Sequence, residues 1–139
     1  MDQAPVVLVT KAFAFELYMI RIIDGQARLV DGSIVHDNSL IWLQGVVADA
    51  SEDGSVILDD GTGVLRCVLK SGSLNVYRRG GGMDTVRPGV YCAVKGDLVL
   101  ASLPEPGKLG SLELRNCGAV VIDDPNMEVL WIIERSQIV

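Results

Sequence analysis

The sequence predicts a mostly β protein built around one small closed barrel, and three observations predict it. Residues 40–50, LIWLQGVVADA, read as an apolar strand interrupted by Gly45. Residues 55–70 read as two strands joined by a tight D-D-G-T-G turn at 59–63. Residues 88–100 and 111–122 alternate apolar and polar side chains with the period of two that a half-buried strand requires. Strand, hairpin, strand pair and a closing helix around Trp131 follow in the order of a five-stranded OB-fold barrel. Such barrels hold either single-stranded nucleic acid or other proteins, and the remaining residues have to decide between the two.

Residues 4–23 are densely apolar, and the spacing of Leu8, Ala12, Phe15 and Met19 predicts a helix of about four turns. The β-branched Val6, Val7 and Val9 are poor helix formers and oppose it. Residues 26–30 and 33–35 read as short strands around an Asp31-Gly32 turn. Residues 1–39 are therefore expected to be an extension, a helix plus short strands, packing on a barrel domain of residues 40–139. Within the barrel, Gly45 marks a bulge or tight bend. The second strand, 55–59, is entered through Asp53-Gly54. In the third, Leu65, Cys67 and Leu69 face the core while Arg66, Val68 and Lys70 face outward. Residues 71–87 hold Gly80-Gly81-Gly82 and predict a mobile loop where OB barrels usually place a helix. Pro88-Gly89 opens the fourth strand. It sets Val90, Cys92, Val94, Leu98 and Leu100 against Tyr91, Lys95 and Asp97, with Gly96 as a second bend. Residues 103–110 form a loop, and 111–122 the fifth strand. Asp124 as N-cap and Pro125 at the first turn start a helix over 125–137. Its run of five apolar residues, 129–133, covers almost the whole circumference. The barrel can bury one side only, so a partner is expected on the other.

The composition points the same way. The chain has 139 residues, enough for one domain with its own core. It is 49% hydrophobic with mean hydropathy +0.34, which leaves apolar surface for a partner to cover. Its net charge of −6 opposes the counterion release on which nucleic-acid binding depends. Cys67, Cys92 and Cys117 are widely spaced, and His36 is the single histidine, so no zinc ligand set is present. The thiols read as reduced core residues of an intracellular protein. The first residues carry Asp2 and no basic stretch, so no secretory leader is expected. Lys11, Glu16 and Arg21 keep the apolar stretches short of the ~20 residues of a membrane helix.

Catalysis finds little support. Asp59-Asp60 and Asp123-Asp124 explain themselves as turn and cap residues. The G-T-G-V at 61–64 lacks the lysine and spacing of a phosphate loop, and Arg78-Arg79 before the three glycines reads as a solvated loop. No enzyme activity, metal or cofactor is expected. Single-strand binding needs aromatic platforms beside a basic groove. The barrel offers Trp42, Tyr77 and Tyr91, with Arg66, Lys70 and Lys95 as nearby cations. Trp42, Tyr91, Arg66 and Lys95 would form such a groove, and this is the alternative reading.

Four fragments also carry a resemblance. Trp42-Leu43-Gln44-Gly45, Asp60-Gly61-Thr62-Gly63, Pro88 to Tyr91 leading into Val94-Lys95-Gly96, and Asp123, Pro125, Leu130 and Trp131 occur in this order. Over residues 40–135 the chain resembles the second subunit of the RecQ-mediated genome instability complex. The resemblance implies a non-catalytic nuclear scaffold, similar in architecture to the small subunits of replication protein A. It would pair, helix on helix, with an OB-fold domain of the first RecQ-mediated genome instability subunit. The assembly would join topoisomerase III alpha and a Bloom-type RecQ helicase in double Holliday junction dissolution, with little direct nucleic-acid binding. The family carries a lysine in the fifth strand near Cys117, and Arg115, on the same face by alternation, is the expected substitute. The 80–82 loop is longer than the family norm. The expected partner surface is Met127, Leu130, Trp131 and Glu134, spaced three and four residues apart on one helix face, together with Arg115. Val129, Ile132 and Ile133 would then seal the barrel.

Overall fold

The computed structural model describes residues 8–18, 20–23, 26–28, 34–35, 39–102, 111–124, 126–127 and 130. Along these the chain forms β1 (Leu8–Lys11), α1 (Ala14–Tyr18), β2 (Arg21–Ile23), β3 (Gln26–Arg28), β4 (Ile34–Val35) and β5 (Ser39–Ala50). It continues with β6 (Ser55–Asp59), β7 (Val64–Leu69), β8 (Asn75–Arg78), β9 (Met83–Thr85), β10 (Tyr91–Ser102) and β11 (Ser111–Val121). The Asp31-Gly32 turn, His36 and the 103–110 loop lie outside the described residues.

Alternation builds the barrel. On β7, Leu65, Cys67 and Leu69 are buried while Val64 and Arg66 are exposed, because successive side chains point to opposite faces. The long β5 pairs antiparallel with β10 through residues 41–46 and with β6 through residues 46–50. β6 pairs with β7, β7 runs parallel to β11, and β11 pairs back to β10. The path β5-β6-β7-β11-β10 thus returns to β5. This is the five-stranded OB barrel expected from the sequence. Gly45 sits where β5 leaves β10 for β6. A Cβ there would collide with the Asp59 carbonyl, so the glycine is what lets β5 cross so closely over the end of β6. The interior is filled by Ile41, Leu43, Val47, Leu58, Leu65 and Leu114 together with all three cysteines, which are free thiols.

The N-terminal segment differs from the expected four-turn helix. Residues 8–11 instead form a strand parallel to the start of β5, in register Leu8–Ser39 through Lys11–Trp42. Its β-branched residues suit a pleated surface better than a helix. Helix α1 is five residues long, and Phe15 is 40% exposed while Ala12 is fully buried, so the two do not share a core face. Met19 lies outside the described residues. β2, β3 and β4 form a separate three-stranded antiparallel sheet.

Phe13, at the N-cap of α1, has no side-chain acceptor, and the β6–β7 turn supplies the missing caps from a distance. Ala14 N–H donates to Asp60 Oδ2 at 2.6 Å and Phe15 N–H donates to Thr62 Oγ1 at 3.2 Å. Glu16 Oε1 accepts from Phe13 N–H at 2.9 Å, the reciprocal half of a capping box. The D-G-T-G turn therefore shapes the hairpin and also holds α1 across that end of the barrel. There Ala14 and Leu17 join the core.

Two further readings are corrected. Residues 71–87 are not an unstructured loop: β8 and β9 form an antiparallel hairpin, with Gly80, Gly81 and Gly82 all at positive φ in its turn. β8 then extends the sheet by pairing parallel to the end of β11. Arg115 and Cys117 also do not share a face. β11 carries one residue more than β10 between the pairs Lys95–Gly118 and Asp97–Arg115, and Asn116 takes φ 56 there. This bulge reverses the alternation, leaving Arg115 exposed and Cys117 2% exposed. Gly96 lies opposite, where a Cβ would come within 2.8 Å of the Arg115 carbonyl.

After β11, Asp124 Oδ1 accepts from Asn126 N–H at 3.0 Å, and Asp124 carbonyl oxygen accepts from Met127 N–H at 3.0 Å. Asp124 is thus the expected N-cap, and Asn126, Met127 and Leu130 are helical.

Candidate functional site

Register places one side-chain set on the outer face of β5, β10 and β11. Residues directly opposite in a ladder share a face. One cross-strand row runs Lys11–Trp42–Lys95–Gly118, and the next runs Gln44–Ala93–Val120–Tyr77–Met83. Tyr91 stands beside the second row, and its hydroxyl is 3.2 Å from Gln44 Oε1, to which it donates. Lys11 Nζ lies 4.7 Å and Lys95 Nζ 4.5 Å from the Trp42 ring centroid. The indole therefore stands between two ammonium groups contributed by the strands on either side of β5. Between this cluster and the helix beginning at Asp124 runs a groove of about 490 Å³, with Trp42, Ala93, Val120 and Met127 as apolar walls. Among the described residues, Arg79 and Lys95 are the charged ones lining it. Val120, Tyr77 and Met83 carry the surface outward at 37%, 71% and 58% exposure.

Of the four residues expected to form a nucleic-acid groove, Trp42, Tyr91 and Lys95 come together here and Arg66 does not. Arg66 lies on the β6–β7 side, opposite Ile57 on one neighbour and Glu113 on the other. Its Nη1 is 2.7 Å from Glu113 Oε2, and Arg115 Nε binds the other oxygen of the same carboxylate. The hydrogen bonds from Arg115 and then Arg66 hold the Glu113 carboxyl below the usual carboxylate range. The outer face of β6 and β7 is where OB barrels usually meet oligonucleotides. On this face the outward residues are Ile57, Asp59, Val64, Arg66 and Val68, with no aromatic platform among them.

Of the expected partner stripe, Met127 is half-buried at the groove wall and Leu130 is 46% exposed. Trp131, Glu134 and the sealing residues Val129, Ile132 and Ile133 lie outside the described residues. Arg115 stays exposed, tied to Glu113. A separate apolar patch surrounds α1, where Phe13 and Phe15 stack at 6.2 Å beside exposed Tyr18 and Val64. Tyr18 hydroxyl donates to the Val64 carbonyl at 2.9 Å.

The paired aspartates act locally. Asp59 Oδ1 accepts from Gly61 N–H at 2.9 Å, Asp60 caps α1, and Asp123 lies 3.6 Å from Arg78. Among the described residues no group of three or more His, Cys, Asp or Glu side chains is placed to hold a metal ion.

No family model and no curated protein sequence matches the chain. Among solved structures it is similar to a chain of the S. pombe Stn1–Ten1 complex. There the TM-score is 0.58 at 22% identity, covering 88% of this chain and 85% of that one. It is also similar to a chain of a replication protein A heterotrimer bound to single-stranded DNA. That match has TM-score 0.58 at 17% identity, covering 94% and 92%. With the closed strand order these likenesses settle the fold. The chain is a small OB-fold protein. Sequence reasoning missed the place of Lys11, Arg79, Tyr77 and Val120 on this OB-fold protein's outer face. The signal that finds them is the register across β1, β5, β10, β11 and β8, which alternation within each strand does not contain.

Proposed function

We propose that this chain is a non-catalytic, nuclear OB-fold subunit whose work is to bind another OB-fold protein. Its role would be that of the second RecQ-mediated genome instability subunit. The observation that carries the reading is Leu130, helical and 46% exposed after the Asp124 cap, while Met127 one turn earlier is half-buried at the groove wall. An apolar residue left outside on such a helix calls for a second surface, and the sequence continues with Trp131, Ile132 and Ile133. The β6–β7 face gives further support, since its two strands carry no outward aromatic side chain and its Arg66 is engaged by Glu113. The solved neighbours are chains of multi-subunit assemblies, which agrees with a subunit role. The resemblance in residues 40–135 points to a complex with topoisomerase III alpha and a Bloom-type helicase that dissolves double Holliday junctions.

The test is affinity purification of the tagged chain from nuclear extract of its own organism. An OB-fold partner should co-elute with a type IA topoisomerase and a RecQ helicase. Trp131→Ala should remove the partner, because truncating a buried interface Trp costs about 2–4 kcal/mol of binding. Unchanged co-elution with that variant, or the absence of any OB-fold partner, refutes the proposal.

A further inference from the structure

We infer that the groove on the outer face of β5, β10 and β11 is a contact site for single-stranded nucleic acid, on a different face from the one OB barrels usually employ. The site is a property of the chain itself and does not depend on the partner proposed above. Three features converge on it. The first is charge. In a protein of net charge −6, the charged residues that line the groove among the described residues are Arg79 and Lys95. The nearest outward acid along β10, Asp97, has Arg115 as its cross-strand partner. An anionic occupant is therefore favoured here although the overall field is negative.

The second feature is preorganisation. Lys95 Nζ lies 4.5 Å from the Trp42 ring centroid, so this cation is already held at the groove before any phosphate arrives, while Lys11 meets the same ring at 4.7 Å from the strand on the other side of β5. Trp42 serves as the anchor of this pair, and the base platform is elsewhere. The third feature is that platform. Tyr77 is 71% exposed and opposite Val120, at the far side of the groove from the lysines and one residue from the Arg78-Arg79 pair. Cations and flat apolar surface thus alternate across the face. The strands β1, β5, β10, β11, β8 and β9 follow one another along the sheet, so at ~4.8 Å per spacing the surface measures about 24 Å along its curve. That is enough for a site of about four nucleotides, at the small end for OB folds. An acidic peptide would satisfy the cations, but it would not use a solvent-exposed aromatic beside them at this spacing. Single-stranded nucleic acid uses both.

The experiment is fluorescence anisotropy of a labelled oligothymidylate of about twelve residues with the full chain, between ~50 and ~200 mM salt. Two phosphates neutralised by Lys95 and Arg79 give a slope of about −1.4 in log affinity against log salt, hence about 7-fold weaker binding over this range. Lys95→Gln should reduce that loss to about 2.6-fold, and Lys95→Arg should restore it. Tyr77→Ala should weaken binding roughly 5- to 150-fold at either salt. Arg66→Gln should change neither value. Both altered residues are exposed, and thermal melting of each variant checks that the fold is kept. Co-purification of the protein partner should survive Lys95→Gln and Tyr77→Ala, which separates this site from the helix proposed above. Any one of four results overturns the inference: no binding at ~50 mM salt, indifference to both Lys95→Gln and Tyr77→Ala, equal damage from Arg66→Gln, or displacement by poly-glutamate as effective as by unlabelled oligothymidylate.

Discussion

Replacing Asp60 by alanine tests whether the β6–β7 turn truly caps α1 from a distance. Asp60 Oδ2 accepts from Ala14 N–H at 2.6 Å, and Ala14 is fully buried. Removing the acceptor strands a buried donor, which costs about 1–3 kcal/mol. The same carboxylate accepts from Thr62 N–H at 2.9 Å and Thr62 hydroxyl at 2.6 Å through Oδ1. These bonds are exposed and together add about 0.5–1 kcal/mol. The expected loss is therefore about 1.5–4 kcal/mol. For a domain of this length one kcal/mol moves Tm by about 3–4 °C, so Asp60→Ala should melt roughly 5–16 °C lower. Asp60→Asn keeps one acceptor oxygen in place of two and should fall between the variant and the parent. Thr62→Ala removes the longer, exposed bond to Phe15 N–H and should cost less than Asp60→Ala. The assay is thermal unfolding followed by circular dichroism near neutral pH. If Asp60→Ala melts within about 2 °C of the parent, the turn does not cap α1 and the reasoning fails.

Two further outcomes follow from charge and burial. The Glu113 carboxyl is held below its ordinary range by Arg115 and Arg66, so its contribution is complete above the usual glutamate pKa of ~4.3 and is lost as pH falls through the folded value. Glu113→Gln should cost about 1 kcal/mol near pH 7, and its Tm should fall less than the parent's between about pH 5 and 3; parallel curves would contradict the assignment. The Cys92 thiol is pushed up to about 12, first by burial and then by the charge of Asp84. Cys67 is pushed well up by its hydrogen bond with Cys117 and by burial. At about pH 8 the native protein should leave a thiol-disulfide reagent unreacted, with three equivalents titrating only after denaturation; fast labelling of the native protein would show that the barrel interior opens.

The parts of this fold that were legible in the sequence are those in which one strand reports on itself. Leu65, Cys67 and Leu69 declare the buried face of β7 by alternation alone, and Asp124 declares a helix start by its chemistry. The parts that were not legible depend on a neighbour. Arg115 and Cys117 seem to share a face until Asn116 takes a left-handed conformation against β10. Three glycines looked like slack chain because the strands flanking them become visible only when β8 adds to β11. β1 reads as part of a helix because its parallel partner, β5, begins well downstream. The candidate groove suffers most from this. Trp42 and Lys95 could be picked out singly, whereas their meeting with Lys11 and Arg79 is a fact of register. Trp131 and Glu134 remain sequence-based elements of the proposed partner surface.

The route by which the barrel closes has a consequence for how the chain folds. The ring is completed only when β11 settles between β7 and β10, and the β7–β11 contact joins Arg66 to Glu113, far apart along the chain. Loop closure over such a distance must precede any reward from the contact, which places this protein among the slower-folding, non-local topologies. During synthesis β7 and β10 are both open edges until residue 121 has emerged. The Arg66–Glu113–Arg115 cluster sits at that last seam, where an ion pair between distant strands favours the correct partner over another chain's exposed edge.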